Sequence, residues 1–383
     1  MSVTAAKGFT AAGVAAGLKS TGAPDIAVVV NQGPSTSAAA VFTSNRCKAN
    51  PVLWSEQAIK SGSAVAVAIN SGGANCYTGP EGFATTHHTA ETVAEVLGAG
   101  AADVQVCSTG LIGLLNDREA LLSGVRNALE DLSPDGGNAA AAAIMTTDTV
   151  AKQAVAQGDG WTVGGMAKGA GMLAPALATM LVVITTDADV DAATTDAALR
   201  AATAQTFDRL DSDGCQSTND TVLLMASGAS GLRPEASAFT DAVTSVCRDL
   251  AMQLLADAEG ADHEIAIEVV NAASVDDALE VGRSVARSNL FKCAIFGKDP
   301  NWGRILASVG TTQATFDPAD LDVALNGVWV CRNSGPGEPA DSIDLSERAV
   351  TVTIDLKSGP ATGTIWTNDL TQAYVHENSA YSS

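Results

Sequence analysis

Positive charge is scarce in this sequence. Against 43 Asp and Glu there are 21 Lys and Arg, giving a net charge of −22 and a pI near 4.3. Such a surface repels phosphate backbones and anionic headgroups, which excludes nucleic-acid binding and peripheral membrane attachment as expected roles. An anionic small-molecule substrate stays permissible, because a few buried Lys or Arg residues can set a local field. Aromatic residues make up only 4% of the chain, so the core must rely on aliphatic side chains and on Ala and Gly backbones that approach closely. The seven cysteines (47, 76, 107, 215, 247, 293 and 331) are odd in number, scattered and without a CxxC pair. That spacing points to reduced thiols in a cytosolic protein and away from a zinc site or a disulfide framework. The longest apolar run, Met172 to Thr185, is too short to span a bilayer and contains Pro175. The first twenty residues hold one early Lys and a Gly-broken Ala-rich stretch, a poor signal peptide.

What is present is a chain of 383 residues, 46% hydrophobic, long enough for two or three subdomains with substantial cores. Strand-like runs alternate with helical ones. "IAVVVNQG", "AAAVFTSN", "AVAVAINSGG", "VQVCSTGLIG", "MLVVITT" and "HEIAIEVVNA" are apolar segments, most of them closed by turn residues. "TTHHTAETVAEVLGA", "REALLSGVRNALEDL", "DAALRAATAQTFDRL" and "TSVCRDLAMQLLADAEG" carry apolar positions at helical spacing, and "SVDDALEVGRSVARSNLFKCAIFG" reads as largely helical. The tail returns to strands in "RAVTVTIDLKSG" and "GPATGTIWTND". "AQGDGWTVGG" (156–165) reads as a surface turn. The expected fold class is α/β, a mixed layered sandwich without repeats or a long linker.

Several motifs fail on inspection. "GGMAKGAG" lacks the order of a phosphate-binding loop, and "NSGGAN" is no dinucleotide fingerprint. In "DSDGCQSTND" (211–220) a calcium-loop register would start at Arg209 and end on Asp220 instead of Glu, so a polar turn is expected. His87, His88, His263 and His376 make no HExxH pattern, and no Ser-His-Asp order stands out.

"KGAGMLAPALATMLVVITTDA" (168–188) raises a sharper question, because Thr179 stands just before its most strand-like part. One reading is a core strand with an ordinary threonine, which pattern alone favours. The other is a nucleophile. A threonine hydroxyl needs an adjacent base, and a freed N-terminal threonine supplies one in its own α-amino group. Cleavage of the Ala178–Thr179 bond would free it, and small neighbours near Pro175 leave room for attack on the backbone.

The stretch resembles the cleavage signature of the ornithine acetyltransferase family, K-G-x-G-M-[IL]-x-P-x-x-A-T-M-L. "VCSTGLIG", "AIMTTDT", "STNDTV", "DAEG", "FGKDPNWGR" and the terminal "YVHENSAYSS" resemble further blocks of that family in the expected order. Two departures are mild: Val150-Ala151 precede Lys152 where many members have a proline before the lysine, and Ala170 stands where Ser is common.

The resemblance implies an N-terminal-nucleophile-like enzyme that cleaves itself into an α chain (1–178) and a β chain (179–383), co-folded into one unit. Thr179 is then the acyl-carrying nucleophile, and Thr109 and Gly110 form the oxyanion hole. Thr146 (with Thr147 as a close alternative), Lys168, Thr179, Glu259, Asn378 and Ser383 bind substrate. The implied reaction is ping-pong transfer of acetyl from N2-acetyl-L-ornithine to L-glutamate in arginine biosynthesis, with no metal or cofactor and with two or more units assembled. Acetyl-CoA as a second donor stays open, since pocket shape decides it. The rivals are an N-terminal-threonine amidohydrolase or aminopeptidase and an uncleaved amino-acid-binding protein.

Overall fold

The computed structural model describes residues 2–172 and 180–380. Val- and Ala-rich runs form a first sheet of β1 (Phe9–Val14), β2 (Ile26–Asn31), β4 (Ala66–Asn70) and β5 (Val104–Ser108), in the order β1-β2-β4-β5. A second sheet has the order β3-β9-β8-β7-β6, with β3 (Ala38–Phe42), β9 (Thr221–Ala226), β8 (Leu181–Thr186), β7 (Thr162–Lys168) and β6 (Lys152–Gln157). The two sheets face each other across Val29, Ile69, Met166, Val183 and Leu223, joined by Ala140, Ala141 and Ile144 in and beside α4 (Gly137–Ala143).

The outer faces are covered by helices. Val28, Ala68 and Val106 on the first sheet pack against Val93 of α2 (Gly79–Leu97) and Leu121 and Val125 of α3 (Arg118–Glu130). Val182, Ile184 and Leu224 on the second pack against Leu199 of α5 (Ala192–Gln205) and Phe239 and Leu250 of α6 (Ala236–Ala256). The result is four layers: helix, sheet, sheet, helix. Each such aliphatic side chain contributes about 1.5–3 kcal/mol when fully buried, so both faces of β2, β4, β8 and β9 are apolar. Another short helix, α1 (Asn50–Ala58), packs against β5.

A third sheet lies wholly in the second half of the chain. Its order is β13-β12-β11-β14-β10-β15, from β10 (Glu264–Ala272), β11 (Asp322–Leu325), β12 (Val328–Arg332), β13 (Gly335–Pro336), β14 (Ala349–Asp355) and β15 (Ala361–Asn368). It packs on α7 (Val275–Ala286), α8 (Asn289–Phe296) and α9 (Trp302–Val309). The last described helix is α10 (Gln372–Ala380).

Two expectations need correction and one is refined. The 156–165 stretch is not a surface turn throughout: Thr162–Gly165 belong to β7, and Trp161 is buried. Glycine is required there, since a Cβ on Gly164 would sit 2.3 Å from the Ser2 carbonyl oxygen. The largely helical 274–297 stretch runs as two helices, because Ser288 adopts an extended backbone and caps α8 by accepting the Phe291 N–H. Finally, α6 starts well before Thr244 and ends at Ala256, with Gly260 in the following turn at φ +60°.

Candidate active site

Parallel pairing of β4 and β5 places Asn70 opposite Ser108, so the loops leaving these strands run side by side. Asn116 Nδ2 donates to Asn70 Oδ1 (3.1 Å) and the Gly73 carbonyl (3.2 Å), and Asn219 Nδ2 donates to the Ala74 (2.6 Å) and Ser108 (2.8 Å) carbonyls. These amides lock the Thr109–Gly110 turn. Gly110 has φ +122°, and a Cβ there would meet Gly73 N and Cα at 3.0 Å, so only glycine fits. The Thr109 N–H is occupied by the Asn70 carbonyl at 2.9 Å. The Gly110 N–H has no partner among the described residues, which leaves it and the Thr109 hydroxyl as donors not committed to the protein's own backbone.

Lys168, the last residue of β7, is nearly fully buried, and its Nζ donates to Thr146 Oγ1 (2.7 Å) and Thr109 Oγ1 (3.2 Å). Asp148 holds the same corner. Its carboxylate accepts the N–H groups of Thr146 (3.0 Å) and Gly169 (2.6 Å), pairs with Lys152 Nζ at 2.7 Å and lies 3.9 Å from Lys168 Nζ. Burial would raise the Asp148 pKa, but Lys168 and Lys152 outweigh it and hold the carboxyl down at about 2. Burial pulls the Lys168 pKa down, with Asp148 opposing. Lys152 also meets Asp257 Oδ2 at 2.5 Å, so two buried lysines face two carboxylates.

From the other side come Glu259 and Asn378. The Glu259 N–H donates to the Ala170 carbonyl (2.9 Å), and Asn378 Nδ2 donates to Glu259 Oε2 (3.0 Å). Gly171 has no Cβ because one would stand 2.7 Å from that carboxylate oxygen. Together Thr109, Gly110, Thr146, Thr147, Lys168, Glu259 and Asn378 line one cleft of about 550 Å³, with Lys19, Gly171 and Met172 also on its walls. That volume suits an amino acid and its acyl group. Cationic Lys168 and anionic Glu259 give it two poles, one for a carboxylate and one for an ammonium.

Six of the eight residues expected at the site are therefore brought together. Thr179 and Ser383 lie outside the described residues, as does Ala178. Of the two threonines, Thr146 presents the hydroxyl that accepts from Lys168. Sequence reasoning missed Asp148, Lys152 and Asp257 as a buried charge cluster; the signal was their presence within "TTDTVAK" and "DAEG". It also missed Lys19, whose backbone N–H is held by Asp25 Oδ2 at 3.1 Å. The residues of the rejected calcium loop have other partners: Asp211 pairs with Arg287 (2.8 Å), and Asp213 accepts the Met172 N–H (2.7 Å). His263 is clamped between Asp369 and the Leu345 carbonyl and does not line the cleft.

Residues 10–383 match the ArgJ family profile. The chain belongs to the ArgJ family. The arginine biosynthesis bifunctional protein ArgJ of Streptomyces coelicolor is 65% identical over 383 residues, covering 100% of both chains. The protein of the same name from Thermobifida fusca is 60% identical, again over 100% of each. Among solved structures, ArgJ of Bacillus halodurans is 34% identical, covers 52% of this chain and 98% of its own, and has a TM-score of 0.50. An ornithine acetyltransferase from Mycobacterium tuberculosis, solved with ornithine, is 53% identical over 47% of this chain and 96% of its own, with a TM-score of 0.45.

Proposed function

We propose that this ArgJ-family chain cleaves itself between Ala178 and Thr179 and then carries acetyl on the freed threonine. The chain is an acetyltransferase of arginine biosynthesis, moving acetyl from N2-acetyl-L-ornithine to L-glutamate. The observation that supports the mechanism is the convergence of an unpartnered backbone N–H, a threonine hydroxyl, a buried ammonium and a carboxylate on one cleft. That cleft lies where β7 ends and the chain returns as β8, Lys168 pairing with Leu181.

In the cleavage step Thr179 Oγ bonds to the Ala178 carbonyl carbon as the C–N bond breaks, and the hydroxyl proton ends on the Thr179 nitrogen. Water then hydrolyses the ester, leaving an Ala178 carboxylate and a free threonine. The new α-amino group, with an ordinary pKa near ~7.7–8, serves as general base. Acetyl passes from acetylornithine to Oγ through a tetrahedral intermediate facing Thr109 and Gly110, ornithine leaves, and glutamate takes the acetyl by the reverse steps. Lys168 pairs with the substrate α-carboxylate and Glu259, steadied by Asn378, with an ammonium group of the leaving ornithine. Ser383 completes the site. At least two cleaved units assemble.

The solved Bacillus halodurans chain aligns almost throughout with only about half of this one, whereas the Streptomyces coelicolor relative aligns end to end. A crystallised polypeptide half as long as the family's full chain supports a cut near the middle. The test is a denaturing intact-mass spectrum of wild type and Thr179→Ala. Two fragments cut at Ala178–Thr179, with the variant intact, support the reading; a single wild-type mass sinks it. Acetylornithine turnover is then followed with and without glutamate. Rapid hydrolysis without the acceptor would mean an amidohydrolase. The same assay with acetyl-CoA replacing acetylornithine decides whether it is a second donor.

A further inference from the structure

Asp220, just before β9, is a titratable group the proposed chemistry does not use. It is 0% exposed. Its Oδ1 accepts the Met180 N–H at 3.1 Å, and its Oδ2 is shielded from solvent, with the hydroxyls of Thr43 and Ser217 beside the carboxyl. The two backbones are tied here as well, the Thr221 N–H donating to the Met180 carbonyl at 3.1 Å before parallel register begins at Leu181 opposite Thr221. Burial holds the Asp220 carboxyl well above the ordinary carboxylate range. A neutral acid is the form that can stay in such a place without a cation.

A buried carboxyl is costly to desolvate, and a strand start does not need one. Met180 N is the amide nitrogen bonded to the Thr179 carbonyl carbon, so this hydrogen bond anchors the chain at the residue that follows Thr179. The segment's other end is held in the same way, by Asp148 on the Gly169 N–H and Asp213 on the Met172 N–H.

We infer that Asp220 is a positioning residue for the self-cleavage, acting on Thr179 through the Met180 amide next to it. This rests on the cleavage reading above. It predicts a rate effect larger than the stability effect, because attack geometry is sensitive to displacements of ~1 Å.

The experiment is a cleavage time course by intact mass on freshly synthesised full-length chain: wild type, Asp220→Asn, Asp220→Ala and Asp220→Glu, with circular dichroism on each. Asn keeps an oxygen acceptor and should cleave within a few-fold of wild type. Folded Ala, lacking the acceptor, and Glu, displacing it by one methylene, should slow by roughly 10–100-fold. If Ala does not fold, Glu decides. Folded Ala or Glu cleaving at the wild-type rate overturns the inference while leaving self-cleavage standing. An uncut wild type removes the cleavage reading, and this inference with it.

Discussion

Lys168 Nζ and Asp148 Oδ2 stand 3.9 Å apart in the protein interior, and neither has solvent to compensate its charge. Asp148 also receives the Thr146 and Gly169 N–H groups, so one carboxylate sets both the charge balance and the backbone of this corner.

Asp148→Asn should destabilise the fold by about 3–5 kcal/mol at pH 7, since two buried ammonium groups lose a partner. The pH dependence has a definite sign. The folded pKa, about 2, lies below the unfolded value, so the stabilisation is full above the unfolded value of ~3.9 and is lost as pH falls through about 2. Urea midpoints measured from pH 6 to 2 should decline less steeply in the variant than in wild type.

Thr109→Val removes a hydroxyl that accepts from Lys168 and, in the proposed mechanism, donates to the oxyanion, at nearly constant volume. We expect kcat to fall by about 10²–10³-fold with a small change in KM. Steady-state kinetics with acetylornithine and glutamate check this, and an equal loss in KM would assign Thr109 to ground-state binding.

Gly110→Ala puts a methyl against Gly73 at a φ that L-residues avoid. The turn must move to accept it. Activity should drop at least tenfold, with a destabilisation of about 1–3 kcal/mol seen in urea. Wild-type activity in a fully folded variant would argue that the Gly110 N–H is not used.

Asn378→Ala leaves Glu259 with one fewer donor. The loss of one charge-assisted bond, about 1.5–3 kcal/mol at most, should appear as a KM increase of roughly tenfold for the substrate whose ammonium group Glu259 meets in the proposed mechanism. A pure kcat effect would move Asn378 from binding to chemistry.

Cleavage at Ala178–Thr179 would divide the second sheet between two polypeptides, β3, β6 and β7 on one and β8 and β9 on the other. Their pairs, β7 with β8 and β3 with β9, run through the buried layer. The fragments should therefore co-migrate in native size exclusion and part only in denaturant. Their separation in dilute native buffer would show that this sheet does not hold them.

How much of this was legible beforehand differs by element. β2, β4, β5, β8 and β10 were readable because each is a short apolar run closed by turn residues, and α2 and α3 because their apolar positions repeat at helical spacing. β7 was hidden by Gly164 and Gly165, whose place in a strand is set by neighbouring backbones and not by their own propensity. The break between α7 and α8 depends on a single serine cap that periodicity overlooks.

For the site, motif blocks in sequence order identified Thr109, Gly110, Thr146, Lys168, Glu259 and Asn378 one by one. Their chemistry was a property of residue type. What residue type cannot specify is that Lys168 spends two donors on Thr109 and Thr146, that Asp148 and Lys152 neutralise one another behind it, or that Asp220 reaches the amide next to Thr179. These residues span 111 positions along the chain, from Thr109 to Asp220. Sequence by itself determined the family and the layered α/β class, and it named six residues that share one cleft, because these depend on local pattern and side-chain type. Tertiary structure alone decided which charges share a desolvated corner, because burial and distance, which set their pKa values and partners, exist only after the sheets have packed.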